Sequence, residues 1–242
     1  MKRADGRAYN ELRPVRITPG YQSFAEGSAL IELGQTRVLC SVSVESTVPG
    51  FLRNSGTGWI TAEYSMLPRA TVTRSERDST RGKIGGRSQE IQRFIGRSMR
   101  AAVDLTKLGE RTLYIDCDVI QADGGTRTAA VTGAYVALYQ ALQTMSRIGL
   151  ISSIPMKSAV AAISVGVARN QRLLDLCYDE DFQADVDFNV VMTSKGEFVE
   201  VQGTAEGKPF SKDTIDFLLS LAEKGINELF QVQQSVLDAA RR

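Results

Sequence analysis

The order of strand-like and helix-like stretches predicts an α+β or mixed α/β fold, in a single domain over residues 1–242. Three observations carry this. Segments that alternate apolar and polar residues, the period of a half-buried strand, come before and after segments with the three-and-four spacing of a helix. No low-complexity linker divides the chain. A length of 242 residues, 43% hydrophobic and 24% charged, is enough to bury a sizeable core in the manner of an ordinary globular protein.

A polar leading segment, with Arg3, Asp5, Arg7, Glu11 and Arg13, ends at a strand beginning with Pro14 to Ile17. Residues 29–33 and 37–45 flank Gly34-Gln35-Thr36, the pattern of a hairpin with a short glycine-containing turn. Residues 59–64 make a further strand. Residues 66–87 are expected to lack regular structure. This stretch carries Arg69, Arg74, Arg77, Arg81 and Lys83 among serines and threonines, with Gly82, Gly85 and Gly86 loosening its end. A helix opens at Arg87-Ser88, where Ile91, Phe94, Ile95, Ser98, Met99, Ala102 and Val103 share one face and Arg93, Arg97 and Arg100 another. Gly109 closes that region.

Leu113, Ile115, Cys117 and Val119 alternate with Tyr114, Asp116 and Asp118 as a strand. Gly124-Gly125 breaks it, and Thr126-Arg127-Thr128 opens a helix through Met145. Strands follow at 159–167 and 173–177, around a turn at Arg169-Asn170-Gln171, and then at 186–193 and 198–202. Ser211 is placed as the cap of a long last helix, with Phe210 and Ile215 as a hydrophobic staple across it.

Composition narrows the chemistry. There is no histidine. That excludes a Ser-His or Cys-His nucleophile pair, a histidine base and a histidine-ligated zinc. Cys40, Cys117 and Cys177 are odd in number and widely spaced, so they are expected to be reduced core residues. No apolar run approaches a membrane span and the first residues lack a signal-peptide core, so a cytoplasmic protein is expected. Net charge is only +1, but it is unevenly spread. Residues 69–111 hold eleven Lys/Arg against five Asp/Glu, and residues 175–242 hold six against fourteen. A basic middle beside an acidic end suits a protein that grips a polyanion and sets carboxylates next to it. Pairing of the two regions across subunits is the alternative.

Three stretches are candidates for chemistry. A strand, a glycine turn and a helix start leave backbone N–H groups pointing outward, which attracts phosphate; Arg127 adds a planar fork, and the two threonine hydroxyls add donors. An ordinary tight turn with Arg127 in solvent is the other reading. Five carboxylates fall within nine residues, Asp179 to Asp187. They repel one another unless arginines or a hard cation such as Mg²⁺ or Mn²⁺ sit among them, or one serves as a general acid. A solvated acidic turn is the alternative. The arginine-rich loop would grip RNA phosphates or form salt bridges between subunits.

Residues 81–97 (Arg-Gly-Lys-Ile-Gly-Gly-Arg-Ser-Gln-Glu-Ile-Gln-Arg-Phe-Ile-Gly-Arg), 116–128 (Asp-Cys-Asp-Val-Ile-Gln-Ala-Asp-Gly-Gly-Thr-Arg-Thr) and 199–207 (Val-Glu-Val-Gln-Gly-Thr-Ala-Glu-Gly) together resemble the bacterial ribonuclease PH family, over essentially the whole chain. The resemblance implies a phosphate-dependent 3′→5′ exoribonuclease that trims tRNA precursors. It also implies a fold like ribosomal protein S5 domain 2, built from βαβα repeats, and a ring-shaped homohexamer of three dimers. By the same resemblance Arg87, Gly125, Thr126 and Arg127 bind phosphate, and Arg69, Arg74 and Arg77 lie in an RNA-contacting arginine loop. Asp181 and Asp187 are implied as the essential aspartates, catalytic and metal-holding. A related polynucleotide phosphorylase has a metal-assisting lysine two residues after the second aspartate. Here that position is Asn189, so metal ligation is the weaker part of the likeness. The implied reaction uses inorganic phosphate in place of water, with Mg²⁺ or Mn²⁺, and releases nucleoside diphosphates reversibly.

Overall fold

Alternating side chains make the first half of the chain a sheet with one buried face. The computed structural model describes residue 3, residues 5–207 and residues 209–240. Strands β1 (Val15–Pro19), β2 (Gly27–Leu33) and β3 (Thr36–Glu45) form an antiparallel meander. The β2–β3 turn is tighter than expected. Leu33 pairs with Thr36, so only Gly34 and Gln35 lie outside the ladder, with Gly34 at φ 58°. After β4 (Trp59–Met66) come α1 (Asp78–Arg81), α2 (Gly86–Ala102) and β5 (Thr112–Gln121). Strand β5 inserts between β3 and β4, antiparallel to the first and parallel to the second.

Helix α3 (Thr126–Arg147) is buried on nearly every face, which matches its small and apolar composition and its lack of a polar stripe. The second sheet is wholly antiparallel, in the order β7, β6, β8, β9. Its strands are β6 (Val160–Ala168), β7 (Gln171–Leu174), β8 (Ala184–Thr193) and β9 (Phe198–Ala205), with the one-turn α4 (Tyr178–Asp181) between β7 and β8. Helix α5 (Lys212–Ala239) ends the described chain; Ser211 caps it by accepting from the Thr214 N–H. Each of α2, α3 and α5 touches both sheets. One hydrophobic cluster therefore runs from Ile31 and Val38 through α3 to Ile163 and Val190. Gln233 of α5 is buried within it and donates to the Thr132 and Val160 carbonyls, tying α5 to α3 and β6.

Several boundaries depart from expectation. Helix α2 stops at Ala102, not near Gly109, because Asp104 turns the chain into a separate 3-10 turn (Leu105–Lys107) and accepts from the Thr106 N–H. The stretch expected to be irregular contains α1, and its base is pinned by backbone bonds from Leu67 to Val119 and from Ala122 to Ala70. Strand β7 ends at Leu174, since Asp175 adopts φ 55°. Cys40 and Cys117 are buried thiols, as expected, but Cys177 is half-buried at the start of α4. No helix is long and apolar enough to cross a membrane among the described residues.

Candidate active site

The Gly-Gly turn connects β5 to α3, and its conformation follows from its residues. Gly124 and Gly125 have φ 73° and 63°, the left-handed region where a side chain is strained. A Cβ on Gly124 would also lie 2.5 Å from the Leu176 carbonyl oxygen, so glycine is what lets α4 close onto the turn. Asp123 Oδ1 accepts from the Tyr178 N–H at 3.2 Å and fixes that contact.

The carbonyls of the turn are held from behind. The Thr36 hydroxyl donates to Gly124 at 2.7 Å, and the Arg13 guanidinium donates to the carbonyls of Asp123 and Gly124. Arg13 is itself locked by the fully buried Asp175, at 2.9 and 2.6 Å. Burial works against the Arg13 charge, but the Asp175 carboxylate outweighs it and holds the guanidinium above its usual pKa. With these carbonyls turned inward, the N–H groups of Gly125 and Thr126 have no hydrogen-bond acceptor among the described residues. They face outward as an anion-favouring helix start.

The two threonine hydroxyls are a correction. Both were expected to serve as phosphate donors, but both point into the protein. Thr126 Oγ1 pairs with the Tyr64 hydroxyl at 2.7 Å, and Thr128 Oγ1 donates to the Gly125 carbonyl at 3.0 Å. Thr126 can therefore offer only its backbone N–H.

A cleft of about 410 Å³ opens beside the turn. Arg87, Arg127, Asp181, Asp187, Asn189 and Gln202 line it, together with Phe182, Ala184, Thr204 and Glu206. Arg87 enters from the first turn of α2 and Arg127 from the first turn of α3. The structure thus gathers four of the expected residues, drawn from positions 87 to 187, into one wall. Gly125 and Thr126 stand next to Arg127 without lining the cleft itself. Arg69, Arg74 and Arg77 are exposed on the segment between β4 and α2 and do not line it either. The side chain of Arg81 lies outside the described residues.

The acidic cluster does not act as one group. Glu180 turns away to Arg3 at 2.7 and 2.5 Å; these bonds, with one from the Cys177 N–H, outweigh burial and hold its carboxyl below the ordinary range. Asp179 and Asp185 are exposed and are not part of the cleft wall. Only Asp181 and Asp187 remain at the cleft. Asp181 opens to solvent, yet the surrounding protein raises its carboxyl, against the pull of Arg87, Arg127 and Arg13. Asp187 is pushed up to about 6, by burial first and then by Asp181. Asn189 donates to Asp187 Oδ2 at 3.2 Å, while Oδ1 is buried without a hydrogen-bond partner.

Residues that sequence reasoning left without a role complete the wall. Gln202 on β9 accepts from Arg127 at 3.1 Å and donates to Glu90 at 2.8 Å; Glu90 also pairs with Arg127 at 3.3 Å. This triangle fixes the Arg127 fork. Glu90 and Gln202 both lie inside the motifs quoted above, but nothing in their spacing announces that β9 folds back over α2. Glu200, two positions from Gln202 and on the same face of β9, pairs with Arg97 at 2.6 Å and extends the contact.

Comparison with known proteins identifies the family. Residues 11–142 match the first domain of the 3′ exoribonuclease family, and residues 158–225 match its second domain. The chain is 66% identical to ribonuclease PH of Dehalococcoides mccartyi over 236 residues, covering 98% of this chain and 99% of the relative. It is 57% identical to ribonuclease PH of Syntrophomonas wolfei over 237 residues, with the same coverage. Among solved structures, an Archaeoglobus fulgidus exosome with RNA bound to the active site aligns at a TM-score of 0.81. That alignment has 25% identity and covers 95% of this chain and 92% of the other. Rice Rrp46 aligns at 0.78 with 22% identity, covering 97% and 100%, and shows the shared fold. The chain belongs to the ribonuclease PH family of phosphorolytic 3′→5′ exoribonucleases.

Proposed function

We propose that this family member carries out phosphorolysis in the cleft between α2, α3, α4 and β8, removing 3′-terminal nucleotides from tRNA precursors. The observation that carries the reading is the convergence of two helix-start arginines, Arg87 and Arg127, with two carboxylates, Asp181 and Asp187, both raised first by burial and the second also by its neighbour Asp181. Attack of phosphate on a phosphodiester brings two anions together. The site must cancel charge before the bond forms.

In this reading Arg127, fixed by Gln202 and Glu90, and Arg87 clamp inorganic phosphate. The outward N–H groups of Gly125 and Thr126 add neutral donors, and Arg13 keeps them aimed by holding the turn from behind. Phosphate attacks the last phosphorus, and the 3′-oxygen of the shortened RNA leaves. The products are a nucleoside diphosphate and RNA one residue shorter, and excess diphosphate drives the reverse reaction.

Mg²⁺ or Mn²⁺ fits Asp181 and Asp187. The unpartnered Asp187 Oδ1 and the mutual repulsion of the two carboxylates are what a hard cation relieves. Among the described residues no third His, Cys, Asp or Glu joins them, so the remaining ligands would be water and substrate oxygens. When bound, such a cation supplies charge neutralisation at the scissile phosphate. The alternative to metal ligation by Asp187 is general acid catalysis, which its raised carboxyl favours. At about 6 it retains a proton near neutral pH more readily than an ordinary carboxylate, and it could pass that proton to the leaving 3′-oxygen.

The exposed arginines Arg69, Arg74 and Arg77 are assigned to phosphates of the RNA body, outside the cleft. We assign the working form to a cytoplasmic homohexamer, with residues 1–242 acting as one catalytic unit. The continuous core through both sheets supports that unit, and the exposed Phe24 and Val72 offer apolar surface for subunit contact.

The test incubates a 3′-extended tRNA with Mg²⁺, with and without phosphate. Nucleoside diphosphate is expected only when phosphate is present, and Asp187→Asn is expected to lose it. Undiminished release by that variant would remove the cleft from the reaction.

A further inference from the structure

Two aromatic rings beside the cleft have no place in the chemistry described so far. Tyr178 is 56% exposed and Phe182 77% exposed. Tyr178 opens the single turn of α4 and Phe182, four residues on, caps its end; their rings stack with centroids 6.0 Å apart at 26°. The turn is anchored by its flanks. Leu176 and Ala184 are buried, the Phe182 N–H bonds the Tyr178 carbonyl at 2.9 Å, and the Tyr178 N–H is held by Asp123. The rings therefore stand on a fixed base while projecting away from the core. Phe182 follows Asp181 directly and lines the same cleft as Arg87 and Arg127.

A stacked pair of rings at the lip of an otherwise polar cleft offers a flat apolar face that a planar group can cover. We infer that the Tyr178–Phe182 stack is a platform for the terminal base of the RNA 3′ end. The inference rests on the phosphorolytic reading of the cleft and names its base-binding part. The terminal nucleotide has its phosphorus between the arginines and the aspartates, so its base must lie within one nucleotide of them. Phe182 lines the same cleft, and Tyr178 stacks against it. Stacking is tolerant of sequence because every base has a π-face, which suits an enzyme that removes each terminal nucleotide in turn.

The experiment uses the full chain and short RNAs that end in 2-aminopurine or in an abasic residue. Binding to the parent is expected to quench the terminal 2-aminopurine. Phe182→Ala should lose most of the quench and raise KM for base-terminated RNA about tenfold. Phe182→Trp should restore both. On abasic-terminated RNA, parent and Phe182→Ala should behave alike, because there is no base to stack. An equal quench in Phe182→Ala, or an equal penalty on abasic RNA, overturns the proposal. So does a smaller sedimenting species for Phe182→Ala, which would assign the rings to a subunit contact. The two readings fail separately. A parent that quenches the probe but releases no diphosphate contradicts the phosphorolytic reading alone; diphosphate release with a quench insensitive to Phe182 contradicts the platform alone.

Discussion

Replacing Asp187 with asparagine is expected to make the protein more stable at neutral pH while abolishing turnover. The reason is the cost of its charge. In the folded protein its carboxyl is raised from 3.8 to about 6, by burial and by Asp181. Below the unfolded pKa both states hold the proton, and the residue contributes nothing. As pH rises toward 6 the unfolded chain ionises first, so the folded state is progressively penalised; above 6 the penalty is constant. Full conversion of that shift gives about 3 kcal/mol, and access of water to the cleft reduces the expected gain to about 1–2 kcal/mol. Asparagine keeps the size of the side chain and carries no charge to desolvate. The assay is urea unfolding of parent and variant in EDTA, from pH 4 to 8. The two should match near pH 4 and diverge through pH 6, with the variant more stable. A variant less stable than its parent at pH 7.5, or a gap that does not change with pH, would refute the electrostatic account. Adding Mg²⁺ should then stabilise the parent more than the variant, because only the parent keeps both carboxylates.

Arg127→Ala should cost on the order of 2–4 kcal/mol of transition-state stabilisation, read as a loss in phosphate use with tRNA binding kept. Normal phosphorolysis kinetics would remove Arg127 from the phosphate clamp. Substituting Arg69, Arg74 and Arg77 together should weaken tRNA binding and flatten its salt dependence. Sedimentation as dimers would instead place these arginines between subunits, and unchanged binding and assembly would reject both roles. Gly124→Ala must move the Leu176 carbonyl, 2.5 Å from the new Cβ, and adopt φ 73°. It should destabilise by about 1–3 kcal/mol and lower turnover by displacing α4 and Asp181, and a variant with parental stability would contradict the tight packing of α4 on the turn.

The elements of the fold were legible wherever one period ran undisturbed. The Leu113 alternation, the Ile91 to Ala102 stripe and the Ser211 cap all reappear as β5, α2 and the start of α5. Boundaries failed where a local side-chain bond competes with periodicity, as at Asp104, or where one residue takes positive φ, as at Asp175. At the site, Arg127 stood out by the glycine turn and the 179–187 cluster by charge, whereas the choice of Arg87, Asp181 and Asp187 came from the family resemblance. Two kinds of residue could not be named in advance. Glu90 and Gln202 act through a contact 112 positions apart in the chain, and Arg13 reaches Asp175 across 162 positions. Such pairs exist only once β9 and the leading segment have folded back. The Thr126 hydroxyl was misjudged for the same reason, because Tyr64, its partner, arrives from another strand, whereas the Thr128 hydroxyl turns back locally onto the Gly125 carbonyl.

The central claim is that inorganic phosphate itself becomes part of the product inside the Arg87–Arg127 cleft. The most direct measurement supplies ¹⁸O-labelled phosphate with a 3′-extended tRNA and weighs the released nucleotide. The account predicts a nucleoside diphosphate whose outer phosphate carries the label, with none in the shortened RNA, and loss of that product in Arg127→Ala. An unlabelled nucleoside monophosphate would mean that water is the nucleophile and would contradict the account.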